Sequence, residues 1–166
     1  MIPALEPPDS HHLVAAEGWL ELGNAGEAGA ELKHIAPEWA EHPVVLELDW
    51  QIHAHVKDWE ACLELARRLV RLHPDLPMGW IHRSYALHEL KRTLEARDLL
   101  SPLVQRFPEE PVMVYNLACY ECRLGNWGLA RRWLRQTFAM KNSAPWRQAA
   151  QSDPDLAPLW REIPQL

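Results

Sequence analysis

Cys119 and Cys122 stand in the run Ala-Cys-Tyr-Glu-Cys, a spacing that sets two sulfurs on one face of a helix. Thiolates are soft donors that hold zinc, and the imidazoles of His82 and His88 would bring such a site to four ligands. The same two positions suit small, weakly polar side chains chosen for size. Structural zinc sites draw on two close-spaced pairs, and this chain offers one, so no metal ligand is assigned. With Cys62 the cysteines number three, too few for a disulfide framework and odd in count, which points to the reducing cytoplasm. No glycine-rich phosphate loop and no nucleophile elbow is present. His11, His12, His34, His42 and His73 fall near expected helix ends, where they meet carbonyls or solvent. The expectation is a protein that is not an enzyme and carries no cofactor. The alternative is a metal-binding or catalytic protein using Cys119, Cys122, His82 and His88.

Charge narrows the partners. Residues 1–43 hold eight acids against Lys33 alone, whereas residues 112–145 hold Glu121 against five bases, within a net charge of −6. The plain reading is solvated helix faces, Glu121 included; the sharper one is head-to-tail contact between copies or an acidic partner at the C-terminal end. An acidic chain with so small a basic group is not expected to bind nucleic acid. No apolar run approaches the roughly 20 residues of a membrane span, so no membrane is expected. Nine tryptophans and 48% hydrophobic residues argue for an ordered core. The opening MIPALEPPDSHH lacks the pattern of a secretory signal, and residues 1–8 read as a proline-rich arm, poorly ordered.

The elements that must position these residues declare themselves by period. Pro43, Pro77, Pro111 and Pro145 stand 34 residues apart, and LGNAGEA at 22–28 returns as LGNWGLA at 124–130. Blocks 9–42, 43–76, 77–110 and 111–144 each hold two helical stretches and a break: Gly23-Asn24, Lys57-Asp58, Lys91-Arg92 and Gly125-Asn126. Glycine accepts positive φ, and Asn or Asp then caps the next helix. Four residues beyond the Asn, Asp or Arg stand the small side chains Ala28, Cys62, Ala96 and Ala130, which let two antiparallel helices close to 8–10 Å. The prolines open the next helix, where a missing N–H does no harm. Pro37 and Pro102 fall inside expected second helices and should shorten or bend them. Residues 145–166 read as a further helix begun at Pro145, then a short helix opened by Asp153-Pro154, capping the last apolar face.

This pattern resembles the tetratricopeptide repeat family over residues 9–144 and the cap. Trp80 matches the family's large residue early in the first helix, and Leu117-Ala118 its Leu-small pair. Gly125-Asn126-Trp127 matches its Gly-Asp-Tyr turn. The resemblance implies an all-α, right-handed α-solenoid of stacked antiparallel hairpins, with first helices lining a concave groove that binds a protein or peptide segment. Carried over position by position, the groove residues are Leu13 and Glu17; then Glu47, Gln51 and His55. The third block supplies Met78, Ile81, His82, Tyr85 and His88, and the fourth Val112, Tyr115, Asn116, Cys119 and Arg123. Met78, Ile81, Tyr85, Val112 and Tyr115 would be anchors, with polar residues as rim. The chaperone-type carboxylate clamp is absent, because its sites hold Leu13, Glu17, Leu48, Met78 and His82. Asp49 and Arg83 replace apolar family positions and are expected to pair across neighbouring first helices.

Overall fold

The computed structural model describes residues 3–141 and 143–166, which form helices and turns with no strand among them. The α-helices are α1 (Asp9–Glu21), α2 (Ala25–Leu32), α3 (Pro43–His55), α4 (Trp59–Leu72) and α5 (Pro77–Glu89). They continue as α6 (Thr93–Leu100), α7 (Pro111–Arg123), α8 (Trp127–Ala139) and α9 (Ala144–Ala150). Pro43, Pro77 and Pro111 each open a helix, at the position where the lost N–H would have had no partner anyway. Among the described residues, no helix is long and apolar enough to cross a membrane.

The breaks have the chirality that Gly-Asn suggests. Gly23 and Gly125 adopt φ of +77° and +80°, and Lys57 and Lys91 adopt +60° and +65° without glycine's freedom. Asn24 and Asp58 then accept from the N–H of Glu27 and Ala61, closing the first turns of α2 and α4. Asn126 departs from this pattern. Its side chain makes no cap; its Nδ2 donates instead to Glu121 Oε2 at 2.7 Å.

The chain divides into two compact units, one ending at Ala86 and the other beginning at Leu87. In the first, α1 packs on α2 and α3 on α4, with α3 also against α1 and α2. Ala16, Ala28, Leu48 and Ile52 form a core cluster there, with Leu13, Leu20, Ala25 and Leu32 packed against it. In the second, α7 packs on α6 and α8 and carries Met113, Val114, Leu117 and Ala118, all fully buried. Ala28, Cys62, Ala96 and Ala130 are each 0% exposed. At Cys62 the thiol also donates to the Trp50 carbonyl of α3, at 3.6 Å.

The prolines shape the second helices. α2 stops at Leu32 and α6 at Leu100, and 3-10 turns at Pro37–Trp39 and Ser101–Gln105 take over. The expected Asp49–Arg83 pair does not form. Asp49 lies 3.7 Å from His53 one turn along α3, and Arg83 Nε is buried without a hydrogen-bond partner among the described residues.

Candidate functional site

α3 is two-faced. Val45, Leu46, Leu48 and Ile52 go into the core, while Pro43, Glu47 and Gln51 succeed one another at i+4 along another face. That face borders a cavity of about 540 Å³, closed on other sides by Val44, Leu69, Leu76, Met78 and Gly79 and by Pro3 and Ala4 of the arm. The arm is held there, because His42 Nε2 donates to the Pro3 carbonyl at 2.8 Å. His42, His73 and Glu47 supply the polar atoms of an otherwise apolar lining, which includes neither Lys nor Arg. One turn along α3, Gln51 Nε2 donates to Glu47 Oε1 at 3.1 Å and leads to a second hollow of about 340 Å³. Glu17, Leu20, Glu21, Leu48 and Gln51 line it, again with no cation.

Glu47 is fixed by His82, whose Nε2 donates to Oε2 at 2.9 Å. Burial pushes the Glu47 carboxyl up, but the hydrogen bonds of His82 and Gln51 and the His82 charge outweigh it and hold it below the usual range. The His82 ring in turn stacks on Trp50, with centroids 3.7 Å apart and planes 9° from parallel. Tyr85 meets Trp50 and Trp59 edge-on, at 6.2 and 5.7 Å. His82 is thus a buried link between an aromatic cluster and the acidic face, not a free rim residue.

In the second unit, Tyr115, Cys119 and Arg123 recur at i+4 along α7 and form one stripe. Two carboxylates of the C-terminal segment sit on it. The Tyr115 hydroxyl donates to Asp153 Oδ2 at 2.7 Å, and the Cys119 thiol donates to the same oxygen at 3.6 Å. His88 Nε2 donates to Asp155 Oδ2 at 2.9 Å, and Arg123 Nε lies 3.5 Å from Asp155 Oδ1. Burial pushes the Asp155 carboxyl up, and the hydrogen bond and charge of His88, with the charges of Arg123 and Lys91, more than reverse this.

Glu47 and Asp155 therefore make an acid-sensitive contribution to stability. Their ordinary values are 4.5 and 3.8, and both are depressed on folding. A depressed carboxyl stabilises fully above its unfolded value, and that stabilisation disappears as pH falls through the folded one. Stability is expected to fall below about pH 4.5, with a shallower acid limb in Glu47→Gln/Asp155→Asn. Identical acid limbs in wild type and double variant would refute it.

Several expected groove residues are not open surface. Ile81, His82, His88, Tyr115 and Cys119 are all buried, at 4–8% exposure, and Leu13 packs against the first unit's core. The reason lies in neighbours: Trp50 covers His82, and residues 153–159 lie against α7. Glu17, Gln51, His55, Met78, Tyr85 and Arg123 are exposed, and Glu47, Val112 and Asn116 are half-buried. The four residues of the metal alternative form no ligand group, since no cluster of three or more His, Cys, Asp or Glu among the described residues is placed to hold a metal. Burial pushes the Cys62 thiol up to about 12 and also raises Cys119 and Cys122, each with the help of nearby carboxylates. Those thiols are protonated and poor nucleophiles.

Two positions escaped the sequence reading. Gly79 gave no signal beyond being a glycine near a helix start, yet a Cβ there would meet Leu69 Cβ at 3.0 Å and the Val70 nitrogen at 3.1 Å. Glu121 read as a solvated acid and is 3% exposed. It faces Arg97 Nη1 at 3.3 Å and Asn126 Nδ2 at 2.7 Å.

No family model and no curated protein matches the chain. Among solved structures, the fold is similar to that of MamA, residues 41 to the end, from Desulfovibrio magneticus RS-1, with a TM-score of 0.71. The likeness spans 98% of this chain and 97% of that one at 16% identity. It is a likeness of fold, and it supports an all-α helical-repeat architecture of the tetratricopeptide kind.

Proposed function

We propose that the chain is a non-catalytic protein-interaction module, and that its first unit binds a partner segment with an apolar anchor followed by basic side chains. One observation carries this: a cavity of about 540 Å³, almost wholly apolar, is bordered by Glu47 of α3, and one turn along α3 Gln51 borders a second hollow lined by Glu17 and Glu21 of α1, with no Lys or Arg among the residues lining either hollow. An apolar side chain entering the cavity gains roughly 1.5–3 kcal/mol from burial. Carboxylates near its mouth then select the charge of the partner residues next to that anchor and speed the partner's approach. Their geometry is set beforehand, because His82 and Gln51 already orient Glu47. The three cysteines are buried and their thiols are held protonated, which suits a binding role better than a nucleophilic one. A tetratricopeptide-like fold suits this role, since stacked hairpins present rigid, extended surfaces.

The test uses two labelled synthetic peptides, Trp-Leu-Leu-Lys-Arg-Lys and Trp-Leu-Leu-Glu-Asp-Glu, in fluorescence anisotropy with the full chain. The basic peptide is expected to bind and to weaken with salt. Glu17→Gln/Glu21→Gln should weaken it about tenfold, the equivalent of 1.4 kcal/mol. Equal binding of both peptides, or no effect of the double substitution, would show that this face does not read charge.

A further inference from the structure

The C-terminal segment Asp153-Pro154-Asp155-Leu156 meets α7 as a bound peptide meets a receptor. Its two carboxylates take three hydrogen bonds, from the Tyr115 hydroxyl and Cys119 thiol on Asp153 and from His88 on Asp155, and Arg123 forms an ion pair with Asp155. Asp153 Oδ1 accepts from the Asp155 N–H at 2.9 Å, and its carbonyl accepts from Trp160 Nε1 at 2.9 Å, so the segment is already bent to present both acids. Leu156 and Leu159 provide apolar anchors at 0% and 1% exposure. Trp146 closes one side against Tyr115, ring centroids 5.1 Å apart.

The segment itself is weakly self-supporting. It is a 3-10 stretch, Pro154–Leu159, with Pro158 inside it, so its internal hydrogen bonds are few and short-ranged. Exposed Gln151 and Ser152 join it to α9. Beyond it Arg131 holds Glu162 through two hydrogen bonds, at 2.6 and 2.8 Å, so the chain after the segment keeps an anchor of its own. A segment held by side-chain contacts rather than by a backbone ladder of its own can open as a local unit.

We propose that the Tyr115, Cys119 and Arg123 stripe of α7 with His88 is a second binding site, specific for a partner segment in which two carboxylates flank a proline and a leucine comes next, and that residues 153–159 are its resident internal occupant. A partner of that chemistry binds by displacing the tail. This site reads acids, where the first unit's face reads bases, and it stands independently of that reading.

The decisive experiment adds a fluorescein-labelled peptide of residues 151–166, or the same peptide with both aspartates changed to asparagine, to the full chain. In wild type the internal segment competes and binding is weak. In Asp153→Asn/Asp155→Asn the resident tail is loosened and the receptor side kept, so the unsubstituted peptide should bind at least about tenfold tighter, in proportion to the vacated fraction. Adding Arg123→Ala should reverse much of that gain, and the asparagine peptide should bind poorly. A folded double variant that binds no peptide, or binds both equally, overturns the proposal. Should the double variant not fold, hydrogen exchange on the wild-type chain decides. Amides 155–163 should exchange well before those of α7; exchange only together with α7 would mean that the segment is fixed core.

Discussion

Gly79→Val is expected to be among the most damaging single substitutions in the first unit. α5 crosses α4 at this residue, where an added Cβ already meets Leu69 Cβ at 3.0 Å and the Val70 backbone nitrogen at 3.1 Å. A side-chain tip can turn away from such contact, but a backbone nitrogen inside α4 moves only with its helix. The two branches of valine push further in the same place, and overpacking of this kind costs about 3 kcal/mol at its upper range. Better helix propensity than glycine offsets a few tenths of that. The melting temperature should drop by about 6–12 °C, at 2–4 °C per kcal/mol for a chain this long. Gly79→Ala should lose less, since about 1 kcal/mol of propensity works in its favour. Because Gly79 and Leu69 both line the large cavity, the basic peptide should also bind the valine variant more weakly. A valine variant as stable as wild type would mean that α4 and α5 are not held at this distance in solution.

Arg97→Met should be comparably costly in the second unit, for an electrostatic reason. Glu121 is 3% exposed and carries its charge among apolar neighbours such as Tyr120 and Leu117. Arg97, about a quarter exposed, reaches it at 3.3 Å, and Asn126 donates at 2.7 Å. Removing the guanidinium leaves a buried carboxylate with one neutral donor, a loss of about 3 kcal/mol. Replacing both, as Arg97→Met/Glu121→Met, should recover most of it, because two apolar side chains need no partner there. The double-mutant cycle measures the coupling directly. Additive losses, with no recovery in the double variant, would show that the two charges do not depend on one another.

The contrast between these residues and the repeat pattern separates two kinds of information. The hinge phrases were legible because their cause is local: a residue at positive φ, a side-chain cap at Asn24 and Asp58, and a small side chain one turn on. Gly23 and Gly125 announce that conformation by residue type; Lys57 and Lys91 adopt it at the same place in their hairpins without doing so. The all-α fold and the shortening of helices ahead of Pro37 and Pro102 come from the same short-range physics.

Which residues a helix face meets is a different question, and its answer depends on chain far away. Periodicity set Tyr115, Cys119 and Arg123 on one stripe, but nothing near them specified that Asp153, 38 residues from Tyr115, would occupy it. Glu121 read as solvated because acids on helices usually are; α6 brings Arg97 to it across 24 residues. Gly79 looked like any glycine, and only the approach of α4 makes its missing Cβ a requirement. Local backbone preferences and face assignments are thus written residue by residue, because they rest on neighbours within one turn. Burial, charge pairing and the choice of which surface stays open are decided by packing, where each group's environment is supplied by helices the local sequence does not contain.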